Sequence, residues 1–214
     1  IKEKNRIFFN LEFKNAFFIK DFCSEIDFEK IYKLEFKWHD PIEESRGNSE
    51  MKYSEVFSSI FMDQLFHVMS LLKAMGIDVS CLKNLDIFYE TNNSSGEVYI
   101  QCESNNFQIS ISLSRFSQKR KRKITINDDL ISLDFSSKPV ICKNGNFHTE
   151  IQSKNRIFPI AKTLESFLTL SKDSLIQELS IHSLEAEIEF CFKCESLYIN
   201  NFQNNLSVFT NQFN

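Results

Sequence analysis

Asp63 and His67 stand four residues apart in YSEVFSSIFMDQLFHVMSLLKAMG, the stretch covering residues 53–76. On a helix that spacing brings both side chains to one face. An imidazole titrates near neutral pH, and a carboxylate beside it can orient the ring or favour its protonated form, which is the equipment of a general base acting on a hydroxyl. The same spacing also describes an ordinary helix-surface pair, contributing about 0.2–0.5 kcal/mol to helix stability with no chemistry attached. Two further groupings carry less. Cys191 and Cys194 form a C-x-x-C, yet no second pair or flanking histidine completes a zinc set, so the pair reads as buried helix cysteines and no metal site is expected. The KRKRK run at 119–123 could touch phosphate. Without interleaved aromatics it reads instead as a solvated hairpin end, guarded by its lysines against edge-to-edge pairing. The other histidines, His39, His148 and His182, have no evident partner in the sequence.

The element that must position Asp63 and His67 is apolar. Phe57, Ile60, Phe61, Leu65, Val68, Leu71, Leu72 and Met75 recur every three or four residues, and Gly76 supplies a stop. Ahead of this helix, residues 5–13 alternate with period two and predict a strand, and residues 14–26 predict a short helix. Residues 31–38 predict a second strand, with Tyr32, Leu34, Phe36 and Trp38 opposed to Lys33, Glu35 and Lys37. His39-Asp40-Pro41 is expected to end that strand, because proline cannot continue a central ladder, and 42–50 should be a loop.

After Gly76 the pattern returns to period two. Residues 85–90, 97–102, 107–114, 122–127, 130–135 and 140–143 are six candidate strands. The short links between them, Asn127-Asp128-Asp129 among them, tolerate left-handed backbone and predict an antiparallel meander. Helices are expected at 159–171 and 184–198, with an irregular, asparagine-rich tail from about residue 200. The expected fold class is α+β: a large, mostly antiparallel open sheet with helices packed on one face, in a single domain over residues 1–214.

Composition narrows the function. With 214 residues and 42% hydrophobic content the chain can bury a sizeable core. A net charge of −4 argues against a general nucleic-acid binder or a membrane-surface protein held by basic residues. No run of about 18 apolar residues offers a membrane span. Six scattered cysteines do not resemble a disulfide framework, so reduced thiols in a cytoplasm are expected. The chain opens on Ile1 rather than methionine, and an upstream segment is therefore expected.

The order of these elements, with FMDQLFHVMSLLKAMG, ITINDDLISLDF from Ile124 and FPIAKTLESFL from Phe158, resembles the C-terminal domain of the glucose-fructose oxidoreductase / inositol dehydrogenase (Gfo/Idh/MocA) family. There the corresponding pieces read as a D-x-G-x-H helix ending in glycine, a strand pair closing on l-x-l-d-f, and a p-l-x-x-e-l-x-x-F-l helix. Leu65 replaces the usual glycine, and Ser70 stands where many members have a second aspartate. The resemblance implies the substrate-binding and catalytic-base half of an NAD(P)-dependent oxidoreductase acting on a sugar, sugar derivative or polyol. His67 would be the general base and Asp63 its partner, with Trp38 and Arg46 as candidate substrate-binding residues at the rim. The family's N-terminal dinucleotide-binding domain, with its G-x-G-x-x-G turn and E-K-P motif, has no counterpart here. Gly47, Gly76, Gly96 and Gly145 are too dispersed to form that turn. No cofactor is therefore expected on this chain alone, NAD or NADP is expected in the full-length protein, and the chain alone is expected to be inactive. The expected partners are a sugar-like small molecule, the missing dinucleotide-binding domain and a second copy meeting the open sheet, with neither nucleic acid nor membrane. The alternative is a non-catalytic sheet domain used for ligand binding or assembly.

Overall fold

Alternation in β1 (Lys33–Pro41) decides which side of the sheet becomes the core. Leu34, Phe36 and Trp38 are buried, whereas Lys33, Glu35 and Lys37 project the other way. The structure is a computed structural model that describes residues 12–46, 50–53, 58–92, 95–151, 159–169 and 184–211. Further strands follow in β4 (Lys83–Asn92), β5 (Ser95–Glu103), β6 (Gln108–Ser117), β7 (Lys121–Ile126), β8 (Ile131–Asp134), β9 (Val140–Asn144) and β10 (Phe147–Ile151). Among the described residues these join β1 in an eight-stranded sheet of order β10-β9-β8-β7-β1-β6-β5-β4. The fold is α+β, with helices laid against an open, mostly antiparallel sheet.

Two features depart from the expected meander. β1 inserts between β6 and β7, and its pairing with β6 is parallel, Trp38 opposite Leu113. On its other side it pairs antiparallel with β7, Trp38 opposite Arg122. The strand also runs on to Pro41 rather than ending at Trp38, because the register shifts between His39 and Pro41 and frees the proline from a regular ladder position. The stretch expected as a loop contains a second, two-stranded hairpin, β2 (Glu43–Arg46) with β3 (Glu50–Tyr53).

The helical layer begins with a 3-10 turn, Glu12–Asn15, where residues 12 and 13 were expected to end a strand; the remainder of that expected strand lies outside the described residues. α1 (Phe17–Ser24) buries Phe18, Ile19 and Phe22. α2 (Phe66–Ala74) is preceded by a wider π-helical turn, Phe61–Leu65, so the helix of Asp63 and His67 starts later than its apolar pattern implies. Gly76 ends it as expected: its φ of +76° lets Ile77 N–H reach back to Leu72 C=O at 2.9 Å. α3 (Pro159–Thr169) packs on the 12–15 turn. The last helix, α4 (Glu185–Asn211), continues through the tail expected to be irregular. It joins α2 through a 2.7 Å ion pair between Lys73 and the buried Glu187. No helix among the described residues is long and apolar enough to cross a membrane.

Candidate functional site

His67 is seated on an indole. Its ring stacks on Trp38 at a centroid distance of 4.8 Å and 9° between planes, and Phe13 meets both rings edge-on, at 6.0 Å from His67 and 5.4 Å from Trp38. Stacking restricts the imidazole to one plane, yet the side chain keeps 34% exposure, so the ring is held and open together. Asp63 lies in the π-helical turn one turn earlier. Its Oδ1 stands 3.9 Å from His67 Nε2, close enough for electrostatic influence and too far for a hydrogen bond.

Asp63 has a nearer partner. On β6 the row facing the helices runs Ile109, Ile111, Leu113 and then Arg115, a cation where the next apolar residue would fall. Arg115 Nη2 donates to Asp63 Oδ2 at 3.0 Å and to Ser59 C=O at 3.1 Å, and Nη1 donates to Ser58 C=O at 2.5 Å. A positive charge at the start of a helix opposes the helix dipole. Here the guanidinium is compensated by the carboxylate and by the carbonyls of the segment leading into the turn.

Trp38 is only 1% exposed, so the structure places it beneath His67 as a floor rather than at a rim. The Arg122 guanidinium lies 4.3 Å from its ring centroid. Asp40 collects the surrounding donors. It accepts from Trp38 Nε1 at 3.1 Å, Gln64 Nε2 at 3.4 Å and Arg122 Nη2 at 2.9 Å, while Arg120 Nε stands 3.7 Å away. Arg120 also pairs with Glu44 of the β2–β3 hairpin. The KRKRK run is thus divided by strand alternation. Arg120 and Arg122 turn toward the helices, with 23% and 19% of their side chains exposed, while Lys121 and Lys123 turn to the open face. Arg46 ends β2, and its side chain lies outside the described residues. The structure therefore gathers Asp63, His67 and Trp38 in one place, and adds Asp40, Arg115 and Arg122, which the sequence reading passed over. For the two arginines the available signal was position: each continues an apolar row at one end of its strand.

Ser70 is buried one turn beyond His67, and its Oγ finds no hydrogen-bond partner among the described residues. Cys191 and Cys194 are fully buried on α4, where burial pushes the Cys191 thiol up to about 12 and raises Cys194 further, as expected of packing thiols rather than nucleophiles. No cluster among the described residues has three metal-ligating side chains together.

No protein-family model and no curated protein sequence matches the chain. Solved structures do. UDP-N-acetylglucosamine 3-dehydrogenase GnnA from Acidithiobacillus ferrooxidans superposes with a TM-score of 0.58 at 12% identity, over 87% of this chain and 59% of that one. A dehydrogenase from Chromobacterium violaceum gives 0.59 at 9% identity, over 92% and 63%. Gal80p from Saccharomyces cerevisiae, in a super-repressor mutant form, gives 0.56 at 12% identity, over 93% and 64%. The chain shares the fold of these proteins over most of its own length, and it spans less than two thirds of the length of each of them.

Proposed function

We propose that the chain is the substrate-side half of an NAD(P)-dependent oxidoreductase acting on a hydroxyl of a sugar, sugar derivative or polyol. The observation that carries this reading is the half-open imidazole of His67, fixed on Trp38 and flanked by Asp63. In this role His67 takes the proton of the substrate hydroxyl, and Asp63 favours the imidazolium that results. The fold shared with a UDP-N-acetylglucosamine 3-dehydrogenase supports a sugar derivative as the substrate class.

Among the described residues no glycine-rich turn offers itself to a dinucleotide. Gly76 ends a helix, Gly96 sits within β5 and Gly145 closes the β9–β10 turn, so none of these three opens a helix toward a pyrophosphate. NAD or NADP would be held by a further domain, and residues 1–214 would act as one substrate domain beside it. The test is a longer gene product carrying that domain, assayed for reduction of NAD(P) by sugars, sugar nucleotides and polyols. His67→Ala is expected to abolish turnover while leaving the circular dichroism spectrum intact; unchanged turnover would remove His67 from the mechanism.

A second reading, assembly or binding through the sheet, is favoured by the charge pattern of the open face. Asp86, Glu90, Glu97 and Glu103 lie on β4–β5, while Lys33, Lys37, Lys121 and Lys123 lie on β1–β7. A two-fold axis over β6 would set the acidic half of one copy on the basic half of the other, which suits a homodimer. A groove of about 590 Å³ crosses this face between Lys37, Phe88 and Tyr99. Gal80p, described through repression, shares the fold as well.

A further inference from the structure

Asp40 touches both the floor of the site and the turn that leads into its helix. Its Oδ2 accepts from the Trp38 indole at 3.1 Å and from Gln64 Nε2 at 3.4 Å, and its Oδ1 accepts from Arg122 Nη2 at 2.9 Å. Gln64 belongs to the π-helical turn before α2, is 1% exposed, and is tied to β6 as well, donating to Ser114 C=O at 3.0 Å. One carboxylate, with 17% of its own side chain exposed, therefore fastens the indole and the root of the helix above it.

Arg122 completes the arrangement. It is the cross-strand neighbour of Trp38, and its guanidinium lies 4.3 Å from the ring on which His67 stacks at 4.8 Å. The cation and the imidazole are thus no more than about 9 Å apart, the two distances taken end to end. At that range in a half-buried site an uncompensated guanidinium opposes a second positive charge on the imidazole, and Asp40 is the carboxylate that compensates it.

We propose that Asp40 is a positioning residue of the His67 site: it holds the Trp38 plane on which the imidazole lies, and it neutralises Arg122 beside that plane so that the ring can take up a proton. Its bearing on turnover rests on the reading of His67 as a base. The positioning itself does not, and neither depends on which groups meet the ring nitrogens. Other charged groups lie on the elements packed around the ring: Asp63 on the turn, bonded to Arg115 of β6; Arg120 of β7, paired with Glu44; Lys14 on the 12–15 turn; and, at the far end of α2, Lys73 paired with Glu187. All of these are common to every variant below.

The chain has one tryptophan and four histidines, so the Trp38 indole N–H is unambiguous by NMR and the His67 ring signals are assigned by their loss in His67→Ala. Asp40→Asn keeps a side-chain oxygen for the indole and loses the charge. The His67 ring signals should stay at the upfield position that stacking on an indole imposes, while the His67 pKa falls by about 0.5–1 unit. Adding Arg122→Gln should return that pKa to within about 0.3 unit of wild type, a reversal that a merely structural carboxylate would not give. Asp40→Ala removes the acceptor as well: the His67 signals should move downfield, and the indole N–H should exchange with water about tenfold faster. A His67 pKa unmoved by Asp40→Asn, a fall that Arg122→Gln leaves in full, or ring and indole signals unmoved by Asp40→Ala would each overturn the proposal. Should Asp40→Ala fail to fold, Asp40→Asn with and without Arg122→Gln decides alone by the same two pKa outcomes. None of these readouts needs turnover, so they separate this inference from the oxidoreductase reading.

Discussion

Acidification should weaken this fold through His39 before it touches any carboxylate. His39 is 3% exposed on the open side of the sheet, with Nε2 2.7 Å from Ser112 Oγ. Ser112 donates to Glu97 at 3.1 Å, so its oxygen accepts from His39 Nε2–H, and the lone pair is left on Nδ1, which is buried without a hydrogen-bond partner among the described residues. Burial therefore lowers the His39 pKa, Lys121 and Lys37 push the same way, and Glu97 and Asp40 oppose them without prevailing. A base whose folded pKa lies below its unfolded value of 6.5 binds fewer protons in the native state. The associated stability is complete above that value and is lost as pH falls from it toward the folded pKa. If His39 stays neutral in the native state, passing from about pH 7.5 to about pH 5.5 removes at most about 1.4 kcal/mol through this one group. Glu97 does not interfere in that window. Burial works to raise its pKa, but the bonds from Tyr99 and Ser112 and the charge of Lys121 more than offset this, so its contribution is lost only below its ordinary value of 4.5. Urea unfolding followed by Trp38 fluorescence, at a series of pH values for wild type and His39→Gln, isolates the effect, because the other histidines are common to both. The variant's stability should vary less with pH by up to that amount. Parallel curves for the two proteins would refute the assignment.

Two other expectations concern packing and assembly. Lys73→Met leaves the Glu187 carboxylate, 7% exposed, without its cation; because Lys73 itself is 29% exposed, the cost should fall near about 2–3 kcal/mol by urea midpoint, and a cost under about 1 kcal/mol would mean water already serves Glu187. Reversing Lys37 and Lys121 to Glu should abolish self-association in sedimentation velocity, while mixing that variant with one carrying Asp86→Lys and Glu90→Lys should restore a mixed dimer; association indifferent to both changes would exclude the open face as the contact.

Local pattern was legible where a strand has two unlike faces. The six strands expected between residues 85 and 143 are all present within a few residues, and Asn127, Asp128 and Asp129 take φ of 52°, 56° and 69° in the turn their residue types anticipate. Sheet order was not legible, because alternation says which face a residue takes and nothing about which strand lies alongside. The insertion of β1 between β6 and β7 is a long-range choice of that kind. The extension of α4 beyond residue 200 was missed for a different reason: asparagine-rich sequence has weak helix propensity, and propensity is overridden when a helix is anchored elsewhere, as here by Leu184, Cys191 and Cys194 in the core. At the candidate site, helical spacing suggested that Asp63 and His67 would meet. It could not show that Asp40, read as the end of a strand, gathers Trp38, Gln64 and Arg122 from three elements.

Trp38 and His39 are consecutive residues on opposite faces of the sheet. The pleat of β1 sends the indole into the helical layer, under His67, and the imidazole to the open face, beside Ser112. A register slip of one residue would exchange them, placing an imidazole beneath α2 and an indole among lysines and carboxylates. The pairing of Trp38 with both Leu113 and Arg122 prevents that slip from two sides. β1 is an interior strand with a neighbour on each edge, so its register is held from both sides. The side chain on which His67 rests is therefore fixed by the same ladder that presents His39 to the opposite surface, so the two imidazoles lie on opposite sides of one backbone.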